Sequence, residues 1–194
     1  MKIKYLFLIL IIIISCKKDK NLRDSIFIED VESPGLPIYS EWGYNTFGAY
    51  YDREVFISND KKVPLKIIVT NDTMTFNFFG QLGNTSYNNM TMKFYFTNFL
   101  PVYYEDLLQL NDTIINLNNT NKISINIYGS NVNVTLLNGY FKVDKAQLLF
   151  VDTKETEVIL SGHFEFQALI NNEPIAISDG RFDIGVNQSN FFSY

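Results

Sequence analysis

The chain is short of the residues that most chemistry requires. It has one cysteine and one histidine in 194 residues. A structural zinc site takes four Cys or His ligands, so that chemistry is excluded outright. A single cysteine also rules out an internal disulfide, and any folded domain must stand on its hydrophobic core. The phosphate-binding glycine loop, the GxSxG nucleophile turn and the HExxH metalloprotease helix are all missing from the sequence. Long stretches with helical spacing of apolar residues are missing too. Excess basic charge is likewise absent: the formal net charge is −5, which makes nucleic acid and anionic lipid faces poor partners.

The cysteine that is present has an unusual place. Lys2 and Lys4 precede ten apolar residues, 5–14, and Cys16 follows Ser15 and stands directly before Lys17 and Lys18. Ten apolar residues are about half of what a membrane-spanning helix needs, but they fit the hydrophobic region of a secretory signal peptide. Ile13, Ile14, Ser15 and Cys16 resemble the lipobox of bacterial lipoproteins, with Ile13 where Leu is usual. That resemblance implies cleavage after residue 15 and lipidation of Cys16. Loss of residues 1–15 removes two lysines and takes the formal charge to −7.

Residues 16–41 read as a lipidated cysteine and a tether, rich in charge and interrupted by Pro34, Gly35 and Pro37. Ile26, Phe27 and Ile28 form an apolar island within it, compatible with a short edge strand. From Trp42 to Tyr194 the period is two. Met90, Met92, Phe94 and Phe96 alternate with polar or amphipathic residues, as do Ile123, Ile125 and Ile127, and Phe164, Phe166, Ala168 and Ile170. This pattern predicts strands with one face in a core. Asn, Asp and Gly clusters at 59–60, 71–72, 83–84, 111–112, 118–121, 138–139 and 171–172 predict the turns. A short helix is predicted at 103–110. The fold expected for 42–194 is a single antiparallel β-sandwich filled by the 17 Phe and 12 Tyr, with a small antiparallel barrel as the alternative. The sandwich is favoured because 65–69 and 146–151 are nearly unbroken apolar runs, as in strands covered on both faces.

Two stretches resemble a family of uncharacterised Bacteroidota lipoproteins. Thr46, Phe47 and Gly48 open a strand, turn and strand like that family's first hairpin, although its Asn-Gly turn is replaced by Asp52 and Arg53. Ser161, Gly162 and Phe164, followed by Asp179, Gly180, Arg181, Phe182 and Asp183, resemble its closing hairpin. The family is a domain of unknown function, so the resemblance implies an all-β fold and an envelope location without an activity.

Candidate sites are few. His163 falls in phase with Glu165 and opposite Phe164, on the expected wet face. Asp179 and Asp183 read as a turn residue and a surface acid, with Arg181 as an ion-pair partner. Trp42, Tyr44, Tyr50, Tyr51, Tyr103 and Tyr104 could stack on sugar rings or simply fill the core. Asp24-Ser25-Ile26, Asp72-Thr73-Met74 and Asp112-Thr113-Ile114 resemble the Bacteroidota O-glycosylation acceptor, so Ser25, Thr73 and Thr113 are candidate glycan carriers. No catalytic residue, metal ligand or cofactor is assigned. The expected function is a non-enzymatic, outer-membrane-anchored binding or interaction domain, its partner an unidentified protein or glycan. A glycan-binding module of a nutrient-uptake system is the alternative. The anchor has a direct test: Cys16→Ser is expected to abolish incorporation of a palmitate analogue and move the protein to the soluble fraction. Membrane fractionation without label would overturn the lipidation.

Overall fold

The computed structural model describes residues 23–83, 89–151 and 154–194; Cys16 and the expected signal peptide at 1–15 lie outside them. The described chain is all-β and mostly antiparallel. Its strands are β1 (Thr46–Tyr51), β2 (Glu54–Ile57), β3 (Leu65–Val69), β4 (Met74–Leu82), β5 (Asn89–Phe96), β6 (Thr113–Asn116), β7 (Ile123–Ile127), β8 (Ser130–Asn131), β9 (Val134–Val151), β10 (Lys154–Ile170), β11 (Glu173–Val186) and β12 (Phe191–Ser193). They form one sheet in the order β6-β9-β10-β11-β1-β2-β4-β5-β7-β8, with β3 and β12 branching from β4. β12 lies parallel to β3, Phe191 opposite Ile67. Among the described residues no helix is long and apolar enough to cross a membrane.

The alternation read from the sequence sets the phase of the main strands. In β5 Met90, Met92, Phe94 and Phe96 are buried, while the residues between them are not. In β10 Phe164, Phe166, Ala168 and Ile170 point inward and Glu165 and Gln167 are exposed. The sheet curls so that β4 and β5 face β9, β10 and β11 across a phenylalanine core. Phe94 meets Phe141 at 4.9 Å and Phe164 at 5.1 Å between ring centres, and Phe78 meets Phe164 and Phe182 at 5.8 Å each. Edge and tilted contacts of this kind add to area burial by about 0.5–1.5 kcal/mol per pair. The two facing halves thus belong to one unbroken ladder. Bulges help it bend: the β9–β10 register shifts between Glu155 and Glu157, Ser161 and Gly162, and Gln167 and Ala168.

Turn chemistry explains several connections. Asn171 and Asn172, both at positive φ (52° and 69°), close the two-residue β10–β11 hairpin, and Tyr128 and Gly129 do the same between β7 and β8. Residues 103–110 are helical, as the tight 3-10 form over Tyr104–Leu110. Asp106 Oδ2 accepts from Val102 N–H and Tyr103 N–H at 2.9 Å each and starts that turn.

Three expectations are corrected. Asn138 and Gly139 do not turn the chain; they lie within β9. Gly139 is required for another reason: a Cβ there would stand 2.3 Å from the Cβ of Phe166 on the paired strand. The apolar runs are not covered on both faces, since Lys66 is exposed within β3 and Phe150 is exposed within β9. Residues 23–41 do not extend away as a tether. They lie across the outer face of β1 and β11, with Leu36 fully buried and the Pro37 ring packed where Gly48 lacks a side chain. Glu29 and Pro37 make a bridge in this segment, so the packed unit begins at least at Arg23 and not at Trp42.

The core reading predicts a contrast on β10. Phe164→Ala is expected to lower stability by about 3–5 kcal/mol. His163→Ala, losing only a half-exposed stack and hydrogen bond, should cost about 0.5–1.5 kcal/mol. Chemical denaturation of the two variants checks the order; a reversal would overturn the strand phase.

Candidate functional site

The outer face of β11 carries a polar cluster that the sequence reading placed at the surface. Asp183 is 1% exposed. Its carboxylate accepts from Ser40 Oγ, Trp42 N–H (3.3 Å), Gly43 N–H (2.8 Å) and Tyr44 N–H (3.0 Å). The 40–44 loop is therefore folded around one acid. Burial pushes this carboxyl up, and the four donated hydrogen bonds pull it back without cancelling the effect. Two residues earlier on the same face, Arg181 Nη1 pairs with Asp30 at 2.5 Å and Nη2 donates to Ser33 at 3.1 Å. Asp179 is only a distant partner of Arg181, at 3.9 Å. Asp183 was expected as a surface acid because its covering segment read as a tether. The signal that could have found it was the apolar content of that segment, Leu36 above all.

Beside this cluster Glu157 is buried, with Arg23 Nε 3.7 Å from its Oε2. Burial holds the Glu157 carboxyl above its ordinary range, the Arg23 charge opposing and Asp183 adding to the effect. Arg23 in turn donates to Asn187, Gly185 O and Asn190.

His163 is half-exposed and not free. Its Nδ1 lies 2.6 Å from Asp144 Oδ2, Lys142 Nζ donates to Asp144 Oδ1 at 2.6 Å, and the Tyr39 ring stacks on the imidazole at 4.4 Å. Burial pushes the Asp144 carboxyl up, but the Lys142 and His163 contacts outweigh it and hold it below its ordinary value. An ionised carboxylate only accepts, so His163 Nδ1 carries the proton. Burial drives the Tyr39 phenol up to about 12. The dyad has the form used to orient a base, yet no hydrogen bond joins His163 to Ser161, the buried hydroxyl two residues before it. Among the described residues no Ser–His–acid triad is assembled around His163. Among the described residues no group of three or more His, Cys, Asp or Glu is placed to hold a metal ion.

The six aromatics do not form one platform. Trp42 and Tyr103 are strongly exposed but lie on separate loops, while Tyr51 and Tyr104 pack against the core. Tyr50 donates its hydroxyl to Pro34 O at 2.9 Å. The three candidate acceptors are half-buried: Ser25 donates its N–H to Lys61 O (2.8 Å), Thr73 Oγ1 bonds Asp72 (3.0 Å), and Thr113 opens β6.

One concavity was not read from the sequence. A groove of about 480 Å³ lies between β6, the end of β5 and the loop before β7. Five amides line it, Asn98, Gln109, Asn116, Asn118 and Asn121, with Phe96, Phe99, Leu110, Ile114 and Ile115 as apolar walls and no charged side chain among the described lining. Asn121 Nδ2 donates to Asn116 O at 3.1 Å, while its buried Oδ1 has no partner among the described residues. β6 is an end of the ladder. Leu117 N–H donates to Gly139 O, which fixes the ladder's parity: Ile115 and Thr113 bond β9, and Ile114 and Asn116 turn their backbone groups away from it. The groove thus has an open strand edge along one wall. Asn118 and Asn121 were visible in the sequence within the turn cluster 118–121; their convergence with Phe96 depends on the curl of the sheet.

No family model matches the chain, and no curated protein or solved structure matches it either.

The buried acids generate a pH dependence. A carboxyl with a raised value binds its proton more tightly in the folded chain. The stability it adds is full below its ordinary value, 4.5 for Glu157, and is lost as pH rises through the raised one. The melting temperature is therefore expected to fall from mildly acidic toward neutral pH, and Glu157→Gln to flatten that slope. Asp30 and Asp144, held low, act only below 3.8 and leave this window clear. An unchanged slope in the Gln variant would contradict the assignment.

Proposed function

We propose that the chain is a lipid-anchored bacterial envelope protein of the outer membrane, akin to the Bacteroidota lipoproteins its ends resemble. Its β-domain is a non-catalytic binding module. The anchor reading rests on the signal-like run and Cys16. The binding reading rests on one observation, the uncharged groove of about 480 Å³ with five amides and five apolar residues in its walls. Amides offer donors and acceptors to a neutral ligand at no cost in charge desolvation, and apolar walls exclude water around it.

A second reading, a glycan-binding module of an uptake system, draws on the same lining. Amides bond hydroxyls in both directions, and Phe96 and Phe99 supply flat apolar surface. Thr113 also lines the groove, so a glycan carried on it would compete with any ligand there. Calorimetric titration with neutral oligosaccharides, and separately with uncharged peptides, tests both readings. Ile114→Arg places a cation at a 60% exposed position and is expected to weaken binding at least about tenfold, or ~1.4 kcal/mol, with the melting temperature unchanged. Oligosaccharide binding supports the second reading, peptide binding the broader one. Binding indifferent to Ile114→Arg would remove the groove from the function.

A further inference from the structure

The packing of residues 23–41 changes where the domain must sit. Arg23 is fixed to Gly185 O and Asn190 Oδ1 at 3.2 and 3.1 Å. From Cys16 to Arg23 there are seven residue steps, a reach of no more than about 25 Å even when fully extended. A tether running to residue 41 would have allowed more than three times that distance. A lipid on Cys16 thus keeps Arg23 within about 25 Å of the bilayer surface.

The residues that come first in the folded unit are unusually apolar outside. Ile26, Phe27 and Ile28 are 41–50% exposed in succession, and Val31 is 92% exposed. Ile26 N–H donates to Tyr44 O and Ile38 N–H to Ile28 O, so the backbone of this stretch is hydrogen-bonded while its side chains face outward. Tyr44, which accepts from Ile26 N–H, is two residues from Trp42, 75% exposed and the chain's single tryptophan. Single exposed apolar residues are ordinary, but a cluster marks an interaction surface. Asp30 pairs with Arg181 and Glu29 accepts from Gly35 N–H, while Asp24, Glu32 and Glu41 add negative charge along the same segment. The surface that suits this face is therefore zwitterionic, since residual negative charge disfavours an anionic one.

We propose that this face, Ile26, Phe27, Ile28, Val31 and Trp42, seats on the bilayer to which Cys16 is anchored. The inference rests on the anchor reading above. Lipid holds the chain; the apolar face fixes its orientation, with tryptophan at the depth where one end of the ring is wet and the other dry. The convex side of β1 and β11 then faces the membrane.

The test uses the natively lipidated protein in phosphatidylcholine vesicles carrying brominated acyl chains. Trp42 fluorescence is expected to shift to the blue and be quenched. The double variant Phe27→Trp, Trp42→Phe is expected to report the same. Tyr128→Trp with Trp42→Phe places the reporter on the β7–β8 turn, at the opposite end of the ladder from β6 and five strands from β1, and should stay unquenched. Protein that floats with the vesicles while neither position 27 nor 42 is quenched would overturn the seating and leave the anchor standing. Equal quenching at 128 would also overturn it. Protein that neither floats nor incorporates a lipid label would overturn the anchor, and the seating with it. Sedimentation of the detergent-solubilised protein covers the remaining occupant: a dimer dissociated by Phe27→Glu would assign the face to a second copy of the chain.

Discussion

The fold depends on β11 being covered on both sides. Its inner residues Phe182 and Ile184 enter the phenylalanine core, and its outer residues Arg181 and Asp183 are enclosed by the segment running from residue 23 to 45. A charge buried without partners is costly, so Asp183 can be there only because Ser40 and three backbone N–H groups are directed at it. The dependence is mutual. Without that acid the 40–44 loop would have three inward N–H groups and nothing to accept from them. Arg181 with Asp30 and Ser33 repeats the arrangement one residue pair further along the strand. The N-terminal segment is held by these polar contacts as much as by Leu36, and β1 and β11 become central strands instead of an exposed face.

The long β9–β10 hairpin plays the complementary part. Its bulges bend the sheet until β4 and β5 meet β9, β10 and β11 across the rings, but the curl stops before the ends of the ladder pair. That unfinished seam is where the amide-lined groove lies, and it is why an open strand edge and a polar loop line the same concavity. The groove owes its existence to topology and its character to a loop whose composition alone reads as a turn.

The sequence carried some of this plainly and hid the rest for definable reasons. The phase of β5, β7 and β10 was legible because one face of each is core and the other is not. The Asn171 and Asn172 turn was legible because positive φ favours Asn. Asn138 and Gly139 misled because the same dipeptide that closes hairpins also permits close strand approach, and only the neighbouring Phe166 distinguishes the two. Asp183 was hidden because period-two reasoning tells inside from outside but not whether the outside is covered. Residues 23–41 were misjudged since proline, glycine and charge indicate irregular backbone, which is correct, and irregular backbone need not be unpacked. The groove was illegible because its walls come from β5, β6 and two loops that share no local pattern.

The clasp of Arg23 onto Gly185 and Asn190, with β12 laid beside β3, has a temporal meaning. Arg23 cannot find these partners until the chain extends through Asn190. Contacts spanning more than 160 residues make loop closure a large part of the folding barrier and favour slow folding.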